Sequence, residues 1–256
     1  MDFAVVIGLG AAFGSVILAI FLEGSSPMSV MLPAPMILVI GGTLGAGLAT
    51  TTLTDFMAAF KALPQYLLYR PREAATTVEL VVSLTDRARR EGLLALEEVT
   101  RDLDDTFLRD GLQAAIDGTD PEDLRHALEA KVDARRTRER AMAKLFTDMG
   151  GFAPTIGIIG TVVSLVHVLE NLDQPSTLGH MIAAAFVATL WGLLSANLVW
   201  LPIAARIKRV SDLECAHMDM TMEGLLAVQA GASPRVVGQR LWTLAGVEPP
   251  ASREAA

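Results

Sequence analysis

Residues 150–169 read GGFAPTIGIIGTVVSLVHVL and contain no Asp, Glu, Lys or Arg. A helix needs about 20 apolar residues to cross the hydrocarbon core of a bilayer. Because lipid offers no hydrogen-bonding partners to the backbone, a run of this kind predicts a transmembrane helix. Three further runs are free of these charged residues, at positions 3–22, 30–53 and 181–203. The sequence therefore predicts four transmembrane helices.

The composition supports a membrane protein only when the positions of the apolar residues along the chain are considered. The chain has 256 residues, of which 52% are hydrophobic and 20% charged, and its net charge is −8. That apolar content is only slightly raised for a globular protein. Its concentration in four runs excludes a soluble single-core domain, a disordered chain and a fibrous repeat. A single cysteine excludes an intrachain disulfide, and the lack of a basic excess argues against a nucleic-acid partner.

The orientation follows from the basic residues. Fifteen of the 21 lie between Lys61 and Lys144, and the other six lie from Arg206 onward. The connections at about 23–28 and 170–179 contain none. By the positive-inside rule, we predict that both basic segments and both termini are cytoplasmic and that the two short loops lie outside.

Helical patterns dominate the long segment between the second and third runs. Asp120-Pro121 is typical of a helix start, and the helix it opens is predicted to pass Lys144 and continue into the third span. Strand signals are nearly absent, so the predicted fold class is all-α. We predict transmembrane helices 1 and 2 over 1–53, a cytoplasmic helical domain over 54–148, transmembrane helices 3 and 4 over 149–204, and a cytoplasmic tail over 205–256.

A cluster of arginines over 135–140 precedes the third run. The favoured interpretation is a positive anchor that faces anionic lipid headgroups. The alternative interpretation is a surface that docks a partner protein.

The predicted spans carry no carboxylate, although a chain that moves ions through lipid normally uses an ionisable group there. Only His167 is titratable, and it lies at the outer edge. His167, His180, Glu170 and Asp173 fit no familiar metal motif, so we predict no metal and no cofactor. If the chain conducts ions, another subunit is expected to supply the carboxylate.

Small and weakly polar residues occupy one face of each of the last two spans. They either line a narrow path or hold a partner helix; alternatively, their hydroxyls simply bond to their own helix, which chemistry alone favours. Pro154 fits the first turn of its span, and Pro202 is expected to bend or end its helix. The faces comprise Gly157, Thr161 and Ser164 in the third span, and Ala185, Thr189, Gly192 and Ala196 in the fourth; Thr155 is a further polar residue.

Five motifs occur in a fixed order along the chain: MILVIGGTLGA from Met36, ARREGLLALE from Ala88, FAPTIGIIGTV from Phe152, AAFVATLWGL from Ala184, and EGLLAVQAG from Glu223. They are similar to signature segments of the A subunits of the bacterial flagellar motor stator, the MotA and PomA proteins. The resemblance covers most of the chain.

The resemblance implies a mechanism. A subunits of this family form a homo-oligomeric ring, a pentamer, around a dimer of single-span B subunits (MotB or PomB-like), each with an essential aspartate. Flow of H⁺ or Na⁺ through that aspartate turns the ring, which pushes on the rotor protein FliG. The implied location is the bacterial inner membrane, as a multi-pass component of the flagellar basal body that serves motility and chemotaxis. No enzyme activity is implied.

The resemblance also carries residue roles. Arg89 and Glu97, with Arg90 as an adjacent helper, match the rotor-interacting charges of the family. Composition alone would make them a solvated helical face. Opposite charges across an interface mainly give orientation and speed of encounter, which suits a contact that forms and breaks quickly.

Other matched residues lie in the spans. Thr189, Thr161 and Thr155 are assigned to the ion pathway and the B-subunit contact, and Pro154 and Pro202 to torque coupling. Threonine at position 161 favours sodium, since a hydroxyl oxygen suits a hard cation, but proton use stays open. Two residues depart from the family pattern: Trp191 replaces a smaller or tyrosine side chain, and Ser164 replaces glycine.

Three competing interpretations exist. The ExbB/TolQ energisers of outer-membrane processes share a third-span motif, but they have three spans and a different cytoplasmic layout. A stand-alone transporter is disfavoured by the charge-free membrane core and by the lack of an inverted repeat. A purely structural scaffold leaves the two threonine-bearing faces unexplained.

Overall fold

The computed structural model describes residues 4–247, and the described residues form helices and turns with no strand. The all-α prediction is confirmed. The prediction that both termini are cytoplasmic falls partly on residues 1–3 and 248–256, which lie outside the described residues. The α-helices are α1 (Ala4–Leu22), α2 (Pro33–Ala49), α3 (Leu53–Leu67), α4 (Ala74–Glu91), α5 (Glu97–Arg101), α6 (Thr106–Ile116), α7 (Pro121–Glu170), α8 (Pro175–Ser195), α9 (Leu201–Gln229) and α10 (Pro234–Ala245).

α7 is a single helix of 50 residues that includes the whole uncharged run 150–169. Its start follows the sequence signal: Pro121 occupies the first position, and an Asp120 carboxylate oxygen accepts a hydrogen bond from the Glu122 N–H at 2.9 Å. The predicted continuation of this helix into the third span is confirmed. The placement of Pro154 in a first turn is wrong, because the helix passes through it without a break.

Three helices are long and apolar enough to cross a membrane, and their apolar parts lie in Val5–Leu22, Pro121–Glu170 and Pro175–Gln229. The fourth apolar helix is α2, which at 17 residues is shorter than the predicted run 30–53. α2 begins at Pro33, because a proline keeps the residue before it, Leu32, in an extended conformation, and α3 starts at Leu53. The count of four spans therefore stays a prediction.

The fourth apolar run contains a local change of helix type. A π-helical turn over Ala196–Trp200 separates α8 from α9, and Pro202 follows it. A π turn is a single wider turn within an otherwise α-helical path, and proline lacks the backbone donor that a regular helix needs. The helix therefore continues through Pro202, but it is irregular in the turn before this residue.

The chain divides into two compact units. The membrane unit comprises Met1–Arg70 and Glu139–Val210, and the distal unit comprises Pro71–Arg138 and Ser211–Ala256. The predicted segment 54–148 is thus shared between the two units.

The core of the membrane unit combines close helix contacts with an aromatic row. A Cβ on Gly47 would lie 2.6 Å from the Met149 side chain, and one on Gly42 would lie 3.0 Å from Ile156, so α2 runs closely against α7. Phe60 of α3 meets Phe146 of α7 edge to face at 5.3 Å, and Phe146 stacks on Trp200 at 6.5 Å. These aromatic contacts fix α3 in the same unit as the apolar helices.

The core of the distal unit is built from α4, α6, α10 and parts of α7 and α9. Gly111 of α6 and Gly224 of α9 allow the closest approaches, since a Cβ on either would lie within 2.6 Å of Leu225 or Val81 respectively. α10 packs along α4 through the buried residues Val237 and Leu241. The helix that carries Arg89 and Arg90 is therefore supported from one side by the last described helix.

Candidate functional site at the crossing of two apolar helices

α7 and α8 touch through their backbones. A Cβ on Gly157 would lie 2.9 Å from the Ala188 carbonyl oxygen and 3.3 Å from the Thr189 Cα. A Cβ on Gly192 would lie 2.7 Å from the Ala153 carbonyl oxygen. Glycine is therefore required on both helices, since backbone atoms cannot move aside as a flexible side chain can.

The crossing brings together predicted site residues from two runs. Gly157 and Gly192 place Thr189 against α7 and Pro154 against α8, because a Cβ on Gly192 would lie 3.3 Å from the Pro154 Cα. Leu201, which precedes Pro202, packs on Gly150, where a Cβ would lie 2.6 Å from its side chain. The two prolines thus lie near the same contact between α7 and the helical segment after α8.

The hydroxyls at this crossing differ in their hydrogen bonds. Thr155 donates to the Phe152 carbonyl at 2.7 Å and Thr161 to the Ile158 carbonyl at 2.6 Å, as the back-bonding interpretation predicts. The Thr189 hydroxyl makes no hydrogen bond within residues 4–247. It is the one threonine of the three with a free donor to offer to an ion's ligand shell or to another helix.

A cavity of about 490 Å³ lies between α2, α7 and α8. Its lining is mainly apolar, with Ser164, His167 and His180 as the polar contributors. Ser164 therefore faces this cavity. The described residues contain no group of three His, Cys, Asp or Glu side chains that could hold a metal ion.

Trp191 has a partner that the sequence did not reveal. Its indole N–H donates to the Val30 carbonyl oxygen at 2.7 Å and joins α8 to the connection between α1 and α2. A proline at position 33 leaves the carbonyls before α2 short of donors, and in lipid such a group needs a partner. No motif or spacing signals a hydrogen bond between residues 161 positions apart in the chain.

The predicted rotor-contacting charges lie at the end of α4 and the start of α5. Arg90 pairs with Asp86 at 3.0 Å and Glu97 with Arg101 at 2.7 Å, each within its own helical segment. Arg89 is exposed and has no carboxylate partner in the part of the chain that the structure describes. Gly92, with a φ of 86°, makes the turn between the two segments.

The distal unit also holds a charged cluster that the sequence analysis missed. Asp105 accepts a hydrogen bond from the Phe107 N–H at 2.9 Å and contacts His217 at 3.4 Å, and it also pairs with Arg72. Burial alone would raise the pKa of Asp105, but these partners together lower it to about 2. The only local signal was an aspartate before a helix, which is typical of a cap.

Two arginines of the cluster over 135–140 are also paired. Arg135 contacts Glu214 at 3.2 Å, and Arg136 contacts Asp219 at 3.2 Å. Burial raises the pKa of Asp219, although Arg136 opposes this effect. These two side chains therefore stabilise the distal unit and do not fit the predicted lipid anchor.

Long apolar helices that cross at paired glycines, with threonines and prolines at the crossing, define the class as a multi-span helical membrane protein. A family model described as the MotA/TolQ/ExbB proton channel family matches residues 99–220. Motility protein A of Bacillus subtilis is 36% identical over 94% of this chain and 90% of its own length. Chemotaxis protein PomA of Vibrio alginolyticus is 34% identical over 94% of each chain.

A solved structure gives the same result. The flagellar MotAB stator complex from Bacillus subtilis contains a chain with a TM-score of 0.84 and 34% identity, over 92% of both chains. The chain therefore belongs to the MotA/TolQ/ExbB proton channel family, and its function within that family is that of a stator subunit of the flagellar motor. It is an inner-membrane, multi-pass protein, and its family is not an enzyme class.

Proposed function

We propose that the chain forms a homo-oligomeric ring, a pentamer, around two single-span B subunits of the MotB or PomB type. The observation that carries this proposal is the crossing of α7 and α8, which presents Thr189 with an unused hydroxyl donor and offers no carboxylate of its own. A conducting unit needs an ionisable group in the membrane. The B subunit is expected to supply it as an aspartate.

In this arrangement Thr189, Thr161 and Thr155 face the B helix and the ion pathway. The Thr161 hydroxyl donates its proton to a backbone carbonyl, so its oxygen presents lone pairs outward. Such an oxygen suits Na⁺ as a ligand, and it also accepts a hydrogen bond from a protonated carboxyl. The transported ion is H⁺ or Na⁺, and no cofactor is required.

Pro154 and Pro202 are proposed to couple ion binding to ring movement. Pro154 removes one backbone hydrogen bond from α7 at the contact with α8, and Pro202 follows the π turn. Both are points at which a helix bends at low cost. Loading of the B aspartate next to Thr189 is then transmitted through Gly192 to the Pro154 segment.

Arg89, Arg90 and Glu97 are proposed to contact FliG on the rotor. Arg89 has no carboxylate partner within residues 4–247, so a rotor carboxylate gains its full attraction, whereas Arg90 and Glu97 must exchange an existing pair. Exchange of one exposed ion pair for another costs little free energy, which suits a contact that forms and breaks quickly. With the termini cytoplasmic and the two short loops outside, the distal unit faces the rotor at the flagellar basal body.

The proposal is tested in a strain that lacks this gene and encodes no second stator set. We expect flagella to be present by microscopy but not to rotate, and the complemented strain to swim. Speed measured against sodium concentration at fixed pH then assigns the ion. Normal swimming of the deletion strain would contradict the proposal.

A further inference from the structure

The outer face of α3 carries large apolar side chains that no described residue of the membrane unit covers. Leu53 and Met57 are each 63% exposed and Leu68 is 50% exposed. Leu53, Met57, Pro64 and Leu68 follow one another at helical spacing and form one line along the helix, which we term the outer stripe. The exposed large apolar side chains of this segment all lie on this line, whereas Ala59 and Tyr66 on the opposite side are buried.

The position of the outer stripe is fixed on two sides. Thr52 caps α3, since its hydroxyl oxygen accepts from the Asp55 N–H at 3.1 Å, and α2 ends only a few residues earlier, at Ala49. On the inner side, Phe60 packs against Phe146. The stripe therefore begins four residues after the end of the apolar helix α2, and it has no freedom to turn inward.

A third face of α3 is polar. Lys61 lies at the edge of the outer stripe, and Thr54 and Gln65 lie beyond it; all three are exposed. The helix thus presents a buried face, an apolar outer stripe and a polar face in turn around its axis. This arrangement is typical of a helix that lies in the plane of a membrane surface, with a lysine that extends to the headgroups.

The charge around α3 is positive although the chain as a whole is acidic. In the membrane unit, residues 54–70, 139–149 and 204–210 contain seven Lys or Arg and three Asp or Glu, a formal charge of +4. The whole chain carries −8. Five of the seven cations are exposed and have no carboxylate partner among the described residues: Lys61, Arg70, Arg140, Lys208 and Arg209.

We propose that the outer stripe of α3 is a docking surface for anionic phospholipid, with Leu53, Met57 and Leu68 in the acyl–headgroup boundary and Lys61 on a lipid phosphate. The short connection from the apolar helix α2 places the start of the stripe close to the lipid, and the uncompensated cations select the negative headgroup. A two-fold contact of two copies through the outer stripe would bring two such positive surfaces together, and like charges would oppose that contact.

The test places a fluorescent label on the outer stripe. The full-length Met57→Cys chain, purified with its B subunit, is labelled with bimane and reconstituted in phosphatidylcholine nanodiscs. A minor fraction of lipid spin-labelled near the headgroup is added, either as phosphatidylglycerol or as phosphatidylcholine. We expect blue-shifted emission and quenching by both lipids, with an apparent local concentration about fivefold higher for phosphatidylglycerol, the effect of one lysine near an anionic surface.

Three controls isolate the effect. Lys61→Gln in the Met57→Cys background should lower the preference for phosphatidylglycerol about fivefold while it leaves quenching by phosphatidylcholine unchanged. A label at Gln65→Cys, on the polar face, should be quenched less. The unmutated chain, whose only thiol is the buried Cys215, gives the labelling background.

Each other outcome overturns the proposal. Equal quenching of the Met57→Cys label by the two lipids would show that the stripe does not select an anionic headgroup. Blue-shifted emission without quenching would show that protein, such as a second copy of the chain, covers the stripe. Emission typical of water without quenching would show that the stripe stays in solvent.

Discussion

Gly157 and Gly192 occupy the same point of the crossing between α7 and α8, where a Cβ added to Gly192 would lie 3.1 Å from the Gly157 Cα. α7 also packs on α2 nearby, because a Cβ on Gly160 would lie 3.0 Å from the Leu38 side chain. The helices that carry the proposed ion-pathway threonines are therefore held at backbone distance. Small residues, and not polar contacts, set the geometry at the crossing.

Replacement of Gly192 by alanine is expected to separate α7 and α8. The added methyl group meets the Ala153 carbonyl oxygen at 2.7 Å, and overpacking of this kind costs about 1–3 kcal/mol. Thermal unfolding in detergent should show a lowered midpoint, and swimming should be impaired. Gly179→Ala on the same helix is the matched control, since nothing lies within 4 Å of its Cβ position; a Gly192→Ala midpoint equal to that of the control would refute the argument.

Replacement of Pro154 by alanine is expected to abolish torque while membrane insertion and complex formation persist. Alanine restores the missing backbone hydrogen bond and stiffens α7 at its contact with α8. Rotation of tethered cells measures torque, and co-purification with the B subunit measures assembly. Pro175→Ala is the control, because a proline at the start of α8 replaces no helical hydrogen bond. Rotation at wild-type speed in the Pro154→Ala strain would exclude the coupling role.

Arg89 and Arg90 are predicted to differ in their effect on torque. Arg89→Glu exposes a carboxylate where a rotor carboxylate approaches, and we expect torque to fall by roughly half or more. Arg90→Glu first loses an internal pair with Asp86, so we expect a smaller fall. Double reversal of Arg89 and Glu97 should be partly rescued by charge reversal on FliG. Torque that is unchanged in Arg89→Glu would argue for a solvated face.

Comparison of Trp191 and Trp200 measures the contribution of one indole hydrogen bond to stability, because only Trp191 makes such a bond among the described residues. Trp191→Phe leaves the half-buried Val30 carbonyl without its donor, and we expect a loss of about 1 kcal/mol, the usual net contribution of one hydrogen bond. The Trp200 Nε1 is buried and has no acceptor among the described residues, so Trp200→Phe loses ring area but no hydrogen bond. Thermal unfolding should rank Trp191→Phe as the less stable variant. The reverse order would mean that stacking on Phe146 outweighs the hydrogen bond.

Asp105 gives the distal unit a predicted pH dependence. Its pKa in the folded state is lowered from 3.8 to about 2, so its stabilisation is complete above about pH 4 and is lost as the pH falls toward 2. Asp105→Asn keeps an N-cap acceptor but loses the charge, and we expect a loss of about 1 kcal/mol at pH 7 and a flatter acid limb. Hydrogen exchange of α6 is the measurement. Asp104→Asn, an exposed neighbour, should leave exchange unchanged.

The sequence by itself determined the features that depend on period, charge and local signals. Uncharged runs of about 20 residues predict membrane helices whatever packs around them. The Asp120-Pro121 start of α7 is local chemistry, and the structure confirms both that start and the passage of the helix into residues 150–169. The family motifs assign Arg89, Thr189 and Pro154 to helices for the same reason. Each motif is a short stretch of sequence that can be recognised without knowledge of the contacts between helices.

The tertiary structure alone decided the contacts between residues distant in the chain. No local pattern pairs Trp191 with Val30, Asp105 with His217, or Gly157 with Gly192, because each pair depends on how separate helices approach. The same applies to α3, whose apolar residues resemble ordinary core positions until Phe146 is seen to cover only one side. Helix formation is set by interactions within a few residues, whereas burial, close approach and hydrogen bonds between helices are set by packing.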